Sequence, residues 1–139
     1  MGTKDVKSIA VDTNAIVRYL TNDIPSQADQ VEKLFCKASR RRVFLVLSPI
    51  VVGEAIFVLQ THYKQSPIDI SIQMQGLLAQ SWWILEHREA LLNLWQWYEQ
   101  GNHFVDSYLL ALNKYEDIGL FSFDKRINKL VENKVDGVR

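Results

Sequence analysis

The sequence predicts an α/β fold, a central and mainly parallel twisted sheet flanked by helices. Three observations lead there. Short apolar runs rich in strand formers alternate with stretches of helical periodicity. The clearest run, Val43-Phe44-Leu45-Val46-Leu47, is apolar at every position, the pattern of a strand covered on both faces. Ser-Pro also occurs twice, at Ser48-Pro49 and Ser66-Pro67, where a capping serine and a first-turn proline open helices. Strands that alternate with helices pair in parallel through right-handed crossovers. The 139 residues suit one domain, 1–139, and show no repeat, low-complexity stretch or linker.

In chain order, Ser8-Ile9-Ala10-Val11 is a first strand that ends at Asp12, and Ala15 to Leu20 turn back as a helix. Asn22 to Ser26 form a turn in which Asp23 or Ser26 can cap the next helix. That helix carries Ala28, Val31, Leu34, Phe35 and Ala38 on one face and ends at Arg40-Arg41-Arg42. After the Val43–Leu47 strand, helices run from Pro49 to about Tyr63 and from Pro67 to about Gln80. Trp83-Ile84-Leu85 is a short strand, and Arg88 to Gln100 a helix whose apolar residues cover more than one stripe. Gly101-Asn102 breaks it, with Asn102 the candidate cap of a helix through Tyr115. Gly119 to Phe123 reads as a further strand, stopping at Asp124 before a short last helix containing Ile127 and Leu130. The tail from Lys134 is a final edge strand or is frayed.

Composition narrows the chemistry. Apolar content of 47% with 23% charged residues is globular, and 16 bases balance 16 acids, so nucleic-acid contact would rest on a local basic patch. Lys37, Arg40, Arg41 and Arg42 are such a patch, or a solvated helix end. Cys36 is the one cysteine, which removes intramolecular disulfides and cysteine-rich zinc sites and fits a reducing, cytoplasmic setting. The first residues do not resemble a signal peptide, and no stretch reaches the roughly 18 apolar residues of a membrane span, so no membrane partner is expected.

Four acids stand where sheet folds place ligands. Asp12 and Asp124 each follow an apolar run and precede a helix, so each is a natural N-cap; strand carboxyl ends are also where open α/β sheets bind ligands. Glu54 is the one charged residue between Val43 and Tyr63, set among Val51, Val52, Ala55, Ile56 and Phe57. It reads as a buried carboxylate that needs a cation or an arginine. Asp106 lies in an opening helical turn, one residue beyond the capping-box position if Asn102 is the cap. Clustered, the four would repel unless a cation met them, and an all-oxygen donor set selects Mg²⁺ or Mn²⁺. Such a site activates water and neutralises charge on a phosphodiester.

These residues resemble the PIN-domain ribonucleases and, among them, the VapC-like toxins of type II toxin–antitoxin pairs. Val11-Asp12-Thr13-Asn14 is similar to the family's opening motif, Leu47-Ser48-Pro49 through Glu54 to its second, Gly101 to Ser107 to its third, and Phe121 to Lys125 to its fourth. The resemblance implies a single PIN-like domain and an Mg²⁺- or Mn²⁺-dependent endoribonuclease. Asp12, Glu54, Asp106 and Asp124 would be catalytic metal ligands, with Asn14 and Ser122 polar groups near metal or substrate. It further implies RNA as substrate, an antitoxin as protein partner and a homodimer. The chain departs from the pattern at His103, where many relatives have an acid, and at Ser122, where many have threonine.

Other readings fit less of the chain. A haloacid-dehalogenase phosphatase needs a second aspartate at position 14, which is asparagine here. There is no glycine-rich phosphate loop, and no hydrolase elbow surrounds Ser48, Ser107 or Ser122. A non-toxin RNA-processing nuclease or an inactive PIN-like binding module remain alternatives within the resemblance. Trp82, Trp83, Trp95 and Trp97 are expected in the core and at a dimer interface.

Overall fold

The parallel sheet is present in the computed structural model, which describes residues 7–132. Its strands are β1 (Lys7–Ala10), β2 (Val43–Leu47) and β3 (Trp83–Leu85), in the order β1-β2-β3. Lys7 to Ala10 pair in parallel with Val43 to Val46, and Leu45 to Leu47 with Trp83 to Leu85. Val11 lies outside β1, yet its N–H continues the ladder to Val46 O at 3.0 Å. The described residues fall into two compact units, one of residues 7–65 and 79–86, the other of 66–78 and 87–132.

The first unit holds the sheet, flanked by helices. Helix α1 (Thr13–Thr21) buries Ile16 and Val17, and ends where Asn22, in the left-handed conformation at φ 52°, returns its N–H to Arg18 O at 2.9 Å. Helix α2 (Pro25–Ser39) turns Ala28, Phe35 and Ala38 inward, the predicted face, with Val31 and Leu34 half-buried. Neither Asp23 nor Ser26 caps it. Pro25 takes the first helical position, which makes Ile24 the cap residue and leaves Asp23 and Ser26 out of register. Asp23 instead accepts a hydrogen bond from the Tyr63 hydroxyl and lies 3.4 Å from Arg18. The Tyr63 hydroxyl, with help from Thr21 and Arg18, holds the Asp23 carboxyl below its ordinary value.

Helix α3 (Pro49–Thr61) is capped as predicted, Ser48 Oγ accepting from Ile50 N at 3.1 Å. It buries Val52, Ala55, Ile56 and Leu59. In β2 only Leu45 and Leu47 are fully buried and Phe44 is exposed, so the strand is covered less completely than its run of apolar residues predicts. Phe35 anchors an aromatic cluster with ring centroids 4.7 Å from Tyr19, 5.0 Å from Trp82 and 5.4 Å from Trp83. Trp83 is buried, a core position as expected from sequence, and Trp82 is half-buried.

The second unit is helical: α4 (Pro67–Leu78), α5 (Arg88–Asn93), α6 (Trp95–Glu99), α7 (Phe104–Tyr115) and α8 (Lys125–Leu130). Ile70, Met74, Leu91, Leu94, Trp95, Leu110 and Ala111 form its core. The single helix predicted from Arg88 to Gln100 is two. The Trp95 indole donates to Leu91 O at 2.9 Å, the carbonyl a continuous helix would offer to the Trp95 backbone, and Trp97 N–H closes on Leu94 O at 3.1 Å. Gly101 at φ 101° ends α6, a conformation that residues with a Cβ rarely adopt.

The strand expected from Gly119 to Phe123 does not form; only Leu120 makes an isolated bridge. Side chains hold much of this backbone instead. Asn113 Nδ2 donates to Ile118 O at 3.0 Å, and Asn128 Nδ2 to Ser122 O at 2.9 Å. Carbonyls served by side-chain amides have less need of a ladder partner. The edge strand considered from Lys134 lies outside the described residues. Among those residues no helix is long and apolar enough to cross a membrane.

Candidate active site

In the first unit, Asp12 leaves the sheet one residue after the last β1–β2 ladder bond and caps α1, its Oδ1 accepting from Ala15 N at 2.9 Å. The capping and ligand readings of Asp12 are therefore compatible. One carboxylate oxygen is used by the helix, and Oδ2 meets no donor among the described residues. Thr13, next in the chain, donates its hydroxyl to Glu54 Oε2 at 2.7 Å, tying the start of α1 to the middle of α3. Glu54 is thus tied to the residue that follows Asp12.

Glu54 is exposed, which corrects the expectation that its carboxylate is buried. Its apolar neighbours misled because α3 buries Val52, Ala55, Ile56 and Leu59 while Ile50 and Phe57, also apolar, face outward. A helix that is hydrophobic most of the way round gives no sequence signal of which side is wet. Asn14 is exposed on α1 and lines an open groove of about 360 Å³ with Arg18, Gln27, Gln30, Val31 and Leu34.

In the second unit, Asp124 caps α8, its Oδ1 accepting from Arg126 N at 2.8 Å and Ile127 N at 3.3 Å. Ser122 Oγ accepts from Asp124 N at 2.9 Å, so this serine shapes the turn that presents Asp124. Asp106 lies in the first turn of α7, whose cap residue is His103 and not Asn102. Counted from His103, Asp106 falls on the third helical position and is no longer one residue late for the first-turn role. Asn102 is buried and does something else: Nδ2 donates to Trp97 O at 2.9 Å, and Oδ1 accepts from Arg126 Nη1 at 2.7 Å. Arg126 Nη2 also stands 3.5 Å from Asp106 Oδ2.

Within each unit the structure links two of the four acids, Glu54 to the residue after Asp12 by the Thr13 hydroxyl, and Asp106 with Asp124 through Arg126. Among the described residues of either unit, no three His, Cys, Asp or Glu side chains are grouped so as to hold a metal ion. Mg²⁺ does not require three, since it commonly keeps several waters and takes one or two carboxylates. Asp12, Glu54 and Asp124 are exposed carboxylates, hard oxygen donors of the kind such an ion takes.

The family model described as PIN domain matches residues 9–133. The chain belongs to the PIN domain family. No curated protein and no solved structure matches it.

PIN domains are generally nucleases, a metal-dependent fold that typically uses divalent ions such as Mg²⁺ or Mn²⁺. In this PIN domain sequence reasoning singled out the four acids and passed over two partners. Thr13 was hidden as an ordinary first-turn residue, although a hydroxyl next to Asp12 was a usable signal. Arg126 gave no local signal, although it stands two positions after an acid that it contacts through its own backbone.

Proposed function

We propose that this PIN domain is an Mg²⁺- or Mn²⁺-dependent endoribonuclease that hydrolyses RNA phosphodiester bonds, acting as the toxin of a toxin–antitoxin pair. The observation that carries the reading is the Thr13–Glu54 bond at the carboxyl end of β1, which ties the exposed carboxylate of Glu54 to the residue that follows the exposed Asp12. Asp106 and Asp124 are assigned to the same chemistry by their places in the family's motifs. Asn14 and Ser122 are assigned to substrate, Asn14 as an exposed amide and Ser122 through the turn that displays Asp124.

A bound divalent ion would neutralise charge on the scissile phosphodiester and lower the pKa of the attacking water. The chain's own part is positional. Ala15 N–H fixes one Asp12 oxygen and leaves the other for a ligand, while Thr13 fixes one Glu54 oxygen in the same way. Helix α8 fixes Asp124 through two backbone N–H groups. Each carboxylate is thereby oriented before substrate arrives, which is how electrostatic preorganisation works.

The test is RNA cleavage with Mg²⁺ or Mn²⁺ by the wild type and by Asp12→Asn, Glu54→Gln and Asp106→Asn. Activity lost in each folded variant supports the assignment; wild-type rates in Asp12→Asn and Asp106→Asn would remove it. A toxin arrests growth when expressed alone and is relieved by a co-expressed antitoxin. Unaffected growth would leave a processing nuclease. The same reading carries a homodimer, measurable as solution mass.

A further inference from the structure

Phe121 and Phe123 are 57% and 90% exposed, a large apolar area to leave in water beside a polar turn. Their rings meet edge to face, centroids 5.2 Å apart at 81°, so flat ring surface stays open. The turn carrying them is fastened by Ser122 Oγ to Asp124 N, by Asn128 Nδ2 to Ser122 O, and by Asp124 capping α8. A single exposed phenylalanine needs no explanation. Two, paired on a backbone pinned at three points, are held for display.

The surroundings indicate what they are displayed to. Lys125 and Lys129 lie four residues apart on one face of α8, both exposed. Among the described residues neither has an ion-pair partner. An apolar protein interface needs several hundred Å² of continuous surface on each side, whereas here three charged residues, Asp124, Lys125 and Arg126, follow the rings directly in the chain, with Ile118 and Leu130 only about a third exposed. Open aromatic faces next to unpaired cations match unpaired bases joined by phosphates.

We propose that Phe121 and Phe123 form a stacking platform for unpaired bases of single-stranded RNA, with Lys125 and Lys129 meeting the adjoining phosphates. The platform rests on the nuclease reading for its biological ligand. Bases inside a duplex keep their faces stacked on one another, so a paired strand gains nothing from the rings. Preference for single strands follows.

The experiment is equilibrium binding of a fluorescein-labelled, mixed-sequence single-stranded RNA, and of a duplex of equal length, to the full chain in EDTA. Phe123→Ala should weaken single-strand binding about tenfold, and Phe123→Trp should restore it, as expected for base stacking on a ring. Duplex binding should not change. Lys125→Gln takes away one cation that meets a phosphate, and should flatten the salt dependence of single-strand binding by a slope of roughly 0.7. Equal single-strand affinity in wild type and Phe123→Ala overturns the platform, as does an equal weakening for duplex. Loss of dimer mass in Phe123→Ala with RNA binding intact assigns the rings to a protein interface and also overturns it. The two proposals fail separately. A wild type that binds through Phe123 yet never cleaves removes the nuclease, while cleavage with binding indifferent to Phe123 removes the platform.

Discussion

Thr13 donates its hydroxyl to Glu54 Oε2 at 2.7 Å, across forty-one residues of chain, and so joins the first turn of α1 to the middle of α3. The bond is between exposed groups, and its contribution to stability is small, about 1 kcal/mol or less. Its contribution to orientation is larger. Thr13→Val should leave the melting temperature within a few degrees of wild type while lowering kcat for RNA cleavage, and Thr13→Ser should recover it. A Thr13→Val protein with unchanged kcat would mean that Glu54 needs no such tether.

Asp12 has two roles that substitutions separate. Asn caps helices about as well as Asp, so Asp12→Asn should keep wild-type stability, whereas Asp12→Ala should lose about 1 kcal/mol with the Ala15 N–H bond. Both should lose activity. Urea unfolding of the two variants beside their cleavage rates makes the comparison, and the same pair of changes at Asp124 should behave alike.

Arg126 satisfies a buried group. Asn102 is 7% exposed, and its Oδ1 receives Arg126 Nη1 at 2.7 Å. Arg126→Met should strand that acceptor and cost about 1 to 3 kcal/mol, far more than an exposed surface arginine would. A change within a few tenths, read by chemical denaturation, would show that water replaces the guanidinium.

Asp23 makes a pH prediction. Its carboxyl is held below the ordinary 3.8 first by the Tyr63 hydroxyl, so the folded state binds that proton less readily than the unfolded state. The stabilisation is fully present above the unfolded value and is lost as pH falls through the lower folded one. Tyr63→Phe should therefore melt below wild type at neutral pH, and the gap should narrow as pH drops under about 4. A gap constant down to pH 2 would place the effect in packing.

Gly76 sits inside α4, and a Cβ built there meets nothing within 4 Å. Gly76→Ala should stabilise the protein by roughly 0.5 to 1 kcal/mol, visible as a higher melting temperature.

The sheet strands, the Ser48 and Asp12 caps and the break at Gly101 were legible because each rests on local chemistry written in two or three adjacent residues. Where the sequence misled, the deciding partner was elsewhere. Asn102 looked like a cap because asparagine usually is one, but a buried amide with Trp97 O and Arg126 in reach does better there. Phe121 to Phe123 have strand composition, yet the amide of Asn128 takes the Ser122 carbonyl. Glu54 sits in a helix whose exposed side is itself apolar, so periodicity could not say that the acid faced water. The Asp23–Tyr63 contact joins residues forty apart and has no pattern to find.

The bond from Val11 N to Val46 O closes the β1–β2 ladder directly before Asp12, and Ser48 stands two residues beyond Val46 on the other strand. Asp12, the cap of α1, and Glu54, within α3, are therefore both indexed from a single rung of the sheet. Adding or deleting one residue between Ser48 and Glu54 would swing Glu54 by about 100° around its helix axis, and one between Val11 and Thr13 would displace or remove Asp12 as the cap of α1. Length variation among descendants of this chain should accumulate at turns such as Asn22–Ile24 and Arg40–Arg42 and be purged at these two junctions, however freely the side chains around them drift.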